Sequence, residues 1–329
     1  MQDINSRRDF IRRLTTISAL MFALPYRDLL AAAKQGIKNG QLVLDKDIGN
    51  FAYIYGNDSF KQEFYPFLIN VFHLFPEKEM HQLIDQVSQD RKTDREIYRT
   101  LQSRIHEIKP MLGDLTFALP ALKKQKEEMG RQAIKLLKGK KTFSGYFEIG
   151  TTGRYIGHLE DILDINGPIF LSHEKAATYS PVDIVERGQL SKIGEFVPLN
   201  NYEVDYTKDI PKNSIDLATV YIGFHHCPVK LRDQFLSTIR DILRPGGQLI
   251  VRDHNVFNEK MWRIVALAHD IFNMGTNETL AYNESEIRKF YSHEHLDQMM
   301  LKNGFKTDGI KLYQQGDPTL NGLMLYTKA

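Results

Sequence analysis

The chain has 329 residues, of which 42% are hydrophobic and 26% charged, with a formal charge of +2 and one cysteine, Cys227. That balance fits a chain with a normal core, long enough for one large domain or a domain with a smaller partner. It excludes a strongly basic nucleic-acid binder and any internal disulfide.

The N-terminus reads MQDINSRRDFIRRLTTISALMFALPYRDLLAAAKQG. Arg7 and Arg8 stand in Ser-Arg-Arg-Asp-Phe-Ile, close to the twin-arginine export pattern. An apolar run from Leu14 to Pro25 follows, then Ala31-Ala32-Ala33 as a cleavage site. The order predicts a signal peptide over residues 1–33, with the twin-arginine translocase as partner. The alternative is a basic amphipathic helix packed on the protein. At about 12 residues the run is shorter than the roughly 20 that span a bilayer. No stable transmembrane span is expected there or elsewhere.

Residues 34–141 read as a helical N-terminal cap. FKQEFYPFLINVFHLF, from Phe60, has helical spacing, with Asp58 or Ser59 as N-cap. Its aromatic residues read as the core of the cap, and a second reading has some of them line a hydrophobic pocket. Pro76 starts a helix that places Met80, Leu83, Ile84 and Val87 on one face. Ile97, Leu101, Ile105 and Ile108 form the next stripe, which Pro110 ends. LPALKKQKEEMGRQAIKLLKGKK is a charged amphipathic helix with Gly139 as its C-cap.

From residue 142 short apolar runs alternate with helical segments. Strands are expected at Tyr146–Ile149, Ile169–Ser172, Phe196–Leu199, Ile215–Tyr221 and Gln248–Arg252. Helices are expected at Arg154–Ile165, near Val182–Leu190 and at Arg232–Leu243. Such alternation predicts a mostly parallel sheet covered on both faces. RIVALAHDIFNMG, after the fifth strand, reads as an amphipathic helix over a pocket mouth. His269 and Asp270 on it are assigned to a solvated face in preference to a bound substrate. A helix at about His293–Asn303 and two runs, Phe305–Tyr313 and Gly322–Thr327, close the chain as an antiparallel hairpin.

The stretch YFEIGTTGRYIGHL, from Tyr146, is a strand, a glycine turn and a helix start, which presents free N–H groups to a ligand. Further on come Asp205 with DIPKNSIDLATV, and ILRPGGQLIV at a helix–strand junction. In that order and spacing these motifs, with the terminal hairpin, resemble a class I S-adenosylmethionine-dependent methyltransferase. The resemblance covers residues 142–329. It implies an α/β Rossmann-like fold: a seven-stranded, mostly parallel sheet with a reversed C-terminal hairpin, behind the N-terminal helical region.

The resemblance also implies S-adenosyl-L-methionine as cofactor. Glu148, Gly150, Thr151, Thr152 and Gly153 would touch its methionine half. Glu174, or Asp183 in its place, would hold the ribose, since a carboxylate accepts two hydrogen bonds from a diol. Asp205 would read the adenine amino group with Tyr206 as flank, and Tyr221 would border the cofactor at the end of the fourth strand. Gly223, Phe224, His225 and His226 would face the methyl group. Thr152 and Arg154 stand where the family pattern has glycine; both are expected to meet the cofactor carboxylate, or Arg154 to pair with Glu148.

His225, His226, Asp253, His254 and His173 all leave strands on the ligand side of such a sheet. His226 and His254 are the catalytic candidates, as bases for an acceptor that loses a proton. No metal set is expected, because the histidine spacing matches no recognised metal motif. Pro228 and the lack of a triad pattern argue against Cys227 as a nucleophile. The expected function is methyl transfer to a small-molecule acceptor. The alternative is a catalytically inactive binding or scaffold protein on the same fold. The leader predicts export, to the periplasm or the membrane; the cytoplasmic source of the cofactor predicts the cytoplasm. A dehydrogenase on a dinucleotide fold is disfavoured by the Arg244-Pro245-Gly246-Gly247 junction and the final hairpin.

Overall fold

The computed structural model describes residues 48–110, 117, 119–188, 190–191 and 193–329, together with the backbone of a short hairpin. The expected leader, 1–33, lies outside the described residues. Contacts divide the chain into Met1–Leu44 and Asp45–Ala329. Of the first unit only the hairpin β1 (Ile37–Lys38) and β2 (Gln41–Leu42) is described.

The second unit begins with helices. α1 (Asn50–Tyr55) starts against the Asp94 carboxylate, which accepts from Asn50 N at 2.6 Å and Phe51 N at 3.2 Å. α2 (Asp58–Phe67) is capped by Asn57, which accepts from Ser59 N and Phe60 N, one residue ahead of the expected cap. A wider turn, Leu68–Phe72, prolongs it. α3 (Glu77–Asp90) follows Pro76 and buries Met80, Leu83, Ile84 and Val87, as their spacing predicts. α4 (Asp94–Arg104) opens on a Thr93/Glu96 capping box. α5 (Leu119–Leu136) buries Met129, Ala133 and Leu136.

The sheet strands are β3 (Thr142–Ile149), β4 (Asp164–His173), β5 (Glu195–Pro198), β6 (Ile215–Val220), β7 (Leu243–His254), β8 (Phe305–Lys306), β9 (Lys311–Tyr313) and β10 (Asn321–Lys328). Between them lie α6 (Ile156–Glu160), α7 (Pro181–Arg187), α8 (Arg232–Ile242), α9 (Glu259–Gly275), α10 (Leu280–Ser285) and α11 (His293–Lys302). The strand order is β5-β4-β3-β6-β7-β10-β8, with β9 also on β10. β3 to β7 are parallel and β10 runs antiparallel to β7. The order turns outward in both directions from β3, so the crevice at the ends of β3 and β6 is a topological switch point.

The sheet has eight strands rather than seven because the run Phe305–Tyr313 breaks around Gly309, at φ +76°, into β8 and β9. The helix expected at Arg154–Ile165 ends at Glu160, because Asp164 and Ile165 pair with Thr142 and Phe143 as the start of β4. Side chains alternate between two cores. Phe147, Ile149, Ala218, Val220, Leu249 and Val251 pack with α8 and α11. Tyr146, Leu171, Leu217 and Ile250 pack with α5 and α6 on the other face. A third core joins α1–α4 to Ile264, Leu267, Ile271 and Met274 of α9. The solvated face expected on α9 is therefore absent around Asp270, which is 5% exposed and paired with Arg288. No described helix is long and apolar enough to cross a membrane.

Candidate active site

β3 delivers Glu148 to a fully buried position. Its carboxylate accepts from Tyr146 Oη at 3.0 Å, from Tyr155 N at 3.2 Å and from the Thr151 hydroxyl. Burial raises the Glu148 carboxyl above its ordinary range, and these donors work against that rise. Thr151 Oγ1 in turn accepts from Gly153 N at 3.2 Å and Arg154 N at 3.1 Å. The loop N–H groups are thus organised by a side chain from within the turn. Gly150 and Gly153 sit at φ +91° and +98°, a region that suits glycine. A Cβ at Gly150 would lie 3.3 Å from Ile222 Cβ, a tight contact that adds to the backbone constraint. Thr152 is buried, and its hydroxyl has no partner among the described residues.

Glu174, just past β4, is exposed and accepts from Asn201 N at 3.0 Å. Asp205 accepts from Thr207 Oγ1 at 2.7 Å and Thr207 N at 3.1 Å, and those bonds hold its carboxyl below the usual range. Tyr206 is fully buried, edge-on to Phe147 with ring centres 4.7 Å apart, and its hydroxyl lies 2.9 Å from Ser172 Oγ. Asp183 accepts from Thr178 N and Oγ1 at 2.6 and 2.5 Å.

A cavity of about 200 Å³ lies beyond the ends of β6 and β7, under α9. Arg154, Tyr155 and Tyr221–Gly223 form its loop side. His225, His226, Arg252 and His254 come from the strand exits, and His269 and Phe272 from α9. Phe67 and Val71 reach it from the helical region, so part of the aromatic cluster does line a pocket. Tyr155 and Tyr221 meet edge-on, ring centres 4.6 Å apart, and both hydroxyls are buried without a partner among the described residues.

His226 places Nδ1 at 2.9 Å from Ile287 O, and His254 places Nδ1 at 3.2 Å from Thr319 O. Burial first, then the neighbouring imidazoles, pushes His226 down to about 3 and His254 well below its ordinary value. Cys227 is buried, and burial pushes its thiol up to about 12, far from a reactive thiolate at neutral pH.

The geometry therefore gathers Tyr221, His226 and His254 around one cavity, with Glu148 behind the turn that bears Thr151, Thr152 and Gly153. Glu148, the turn residues Gly150–Gly153, Glu174, Asp205 and Tyr206 do not line that cavity; Thr151 and Thr152 line a separate, smaller one with Leu171 and Phe196. Sequence reasoning missed Arg252, a strand residue that follows the ILRPGGQLIV motif without belonging to it. Its only signal is its place one residue before the Asp253-His254 exit.

Residues 175–251 match the family model described as methyltransferase domain. The chain is 26% identical over 189 residues to the ubiquinone/menaquinone biosynthesis C-methyltransferase UbiE of Hahella chejuensis, covering 54% of this chain and 71% of that protein. It is 31% identical over 119 residues to the protein of the same name from Hydrogenovibrio crunogenus, covering 31% of this chain and 45% of that one. Among solved structures it is similar to a SAM-dependent methyltransferase from Aquifex aeolicus, with TM-score 0.40, 14% identity, and 64% and 97% of the two chains covered. With the strand order and the motif-bearing loops, the domain match and the two sequence relatives support a class I S-adenosylmethionine-dependent methyltransferase.

The site's residues fit that cofactor. The turn keeps glycine at both positive-φ positions, and the Thr152 and Tyr221 hydroxyls are buried polar atoms with no partner among the described residues.

Proposed function

We propose that the chain transfers a methyl group from S-adenosylmethionine to a small-molecule acceptor held in the cavity beneath α9. One observation carries this reading: Tyr155 and Tyr221–Gly223, from the cofactor-loop side, share that cavity with Phe67 of the helical cap and Phe272 of α9. Bound S-adenosylmethionine supplies an electrophilic methyl group on a sulfonium. The turn from Gly150 to Gly153, with the Thr152 and Tyr221 hydroxyls, would hold it, and Glu174 and Asp205 are assigned to ribose and adenine.

The chain's own residues then orient the acceptor and keep water out. Phe67, Val71 and Phe272 give it an apolar wall. An imidazole that donates Nδ1–H to a carbonyl, as at His254, turns Nε2 into a hydrogen-bond acceptor for a hydroxyl. Similarity to relatives named as C-methyltransferases favours carbon as the atom methylated.

The test is to incubate the full chain with methyl-labelled S-adenosylmethionine and small-molecule extracts. Label in an organic product, lost in Gly150→Val, is the expected result. Label recovered only in protein or nucleic acid, or in nothing, contradicts the reading.

A further inference from the structure

Four imidazoles from three parts of the chain meet around the cavity. His225 and His226 belong to the turn after β6, His254 ends β7, and His269 lies in α9. The His225 ring centre is 4.2 Å from His226, 5.0 Å from His269 and 5.5 Å from His254. Those of His226 and His269 are 5.5 Å apart. One ring nitrogen from each of His225, His226 and His269 falls within 4.8 Å of the others.

Each ring is oriented by an acceptor at Nδ1. For His225 it is Asp253 Oδ1 at 2.6 Å, and for His226 it is Ile287 O at 2.9 Å. For His269 it is Glu286 Oε2 at 3.4 Å. Asp253 is itself fixed, accepting from His225 N at 3.0 Å and Tyr291 Oη at 2.5 Å. With Nδ1–H given away, Nε2 carries the free lone pair on each ring. His225 Nε2 is buried with no partner among the described residues, and its side chain is only 3% exposed. A buried acceptor left alone costs about 1–3 kcal/mol. A shared cation relieves it.

We propose that His225, His226 and His269 bind a divalent transition-metal ion, Zn²⁺ above all, through their Nε2 atoms. Neutral imidazoles select zinc, copper, iron or nickel over magnesium and calcium, which prefer oxygen. A carboxylate behind a ligating imidazole, as Asp253 stands behind His225 and Glu286 behind His269, is the usual outer support of such a site. Zn–N bonds of about 2.0–2.1 Å put ligand nitrogens about 3.4 Å apart, so the three rings need only small shifts to close on an ion. Three histidines leave a fourth position open to an oxygen ligand in the cavity, the pattern of catalytic rather than structural zinc. The sequence hides this set because its members come from a turn and a distant helix. The proposal concerns metal binding alone and stands whether or not the methyl-transfer reading does.

The test uses the full chain, stripped with chelator and titrated with Zn²⁺, Co²⁺ and Mg²⁺ in the absence of S-adenosylmethionine. One equivalent of Zn²⁺ should bind with a dissociation constant of about 1 μM or tighter, and Mg²⁺ should not compete. Co²⁺ should give the visible absorption of a four- or five-coordinate site. His226→Gln and His269→Gln should each weaken Zn²⁺ binding at least about tenfold, and Asp253→Asn about 10–100-fold. His106→Gln, on an exposed turn away from the cavity, should leave it unchanged. Less than a tenth of an equivalent bound, or no Co²⁺ spectrum with the wild-type chain, overturns the proposal. So does wild-type affinity in both triad variants. The wild-type spectrum decides the matter even if a variant fails to fold.

Discussion

The Thr151 hydroxyl donates to the buried Glu148 carboxylate and also accepts from Gly153 N and Arg154 N. This one side chain ties the end of β3 to the start of α6. Thr151→Val keeps the shape but leaves a buried carboxylate short of a donor and two N–H groups short of an acceptor. A loss of about 2 kcal/mol is expected in urea denaturation, with weaker binding of S-adenosylhomocysteine. Thr151→Ser should retain most of both. Equal behaviour of Val and Ser would show that the hydroxyl does not organise the turn.

Gly150 needs its φ of +91° and its closeness to Ile222. Gly150→Val should cost about 1–2 kcal/mol for the left-handed backbone alone, and should reduce cofactor affinity by more than its effect on stability. An unchanged affinity, measured by calorimetry, would move the cofactor away from this turn.

Asp205 caps its own turn through Thr207. Asp205→Ala is expected to loosen that turn with little loss of overall stability. If Asp205 also meets the adenine, S-adenosylhomocysteine affinity falls at least about tenfold, the loss of one charge-assisted hydrogen bond. Affinity within a factor of about two of wild type would remove Asp205 from the site.

Arg288 donates to Asp270 and Glu286 at 2.7 Å each, and all three side chains are less than 15% exposed. Asn50 Nδ2 donates to the same Asp270 at 3.1 Å, so the group links α1 to α9. Arg288→Leu leaves two buried carboxylates without their cation and should cost about 3–5 kcal/mol. A loss under about 1 kcal/mol, the range of exposed pairs, would contradict this placement.

Export is tested by fusing residues 1–36 to a reporter. Transport that depends on Arg7 and Arg8, lost when both become lysine, is expected. A reporter that stays inside the cell regardless removes the leader from the account.

Local patterns made much of this molecule legible. The C-terminal part of β3, β6 and the core of β7 are near-continuously buried, as expected for strands covered on both faces. The stripe on α3 fell out of simple periodicity. What the sequence concealed is long-range pairing. Asp270 read as a solvated charge because its partner, Arg288, lies beyond the next helix. The helix after Gly153 read too long because nothing local shows that Asp164 pairs with Thr142. Thr151 and Thr152 look alike in the sequence, yet one is fully engaged and the other keeps a buried hydroxyl with no partner among the described residues. The convergence of His225, His226 and His269 likewise depends on where α9 packs.

The central claim is that the turn from Gly150 to Gly153 holds S-adenosylmethionine. Isothermal titration of the full chain with S-adenosylhomocysteine tests it most directly. The account predicts one site per chain with a dissociation constant of about 100 μM or tighter, lost in Gly150→Val. Heats no different from buffer up to about millimolar ligand, with a folded wild-type chain, would contradict it.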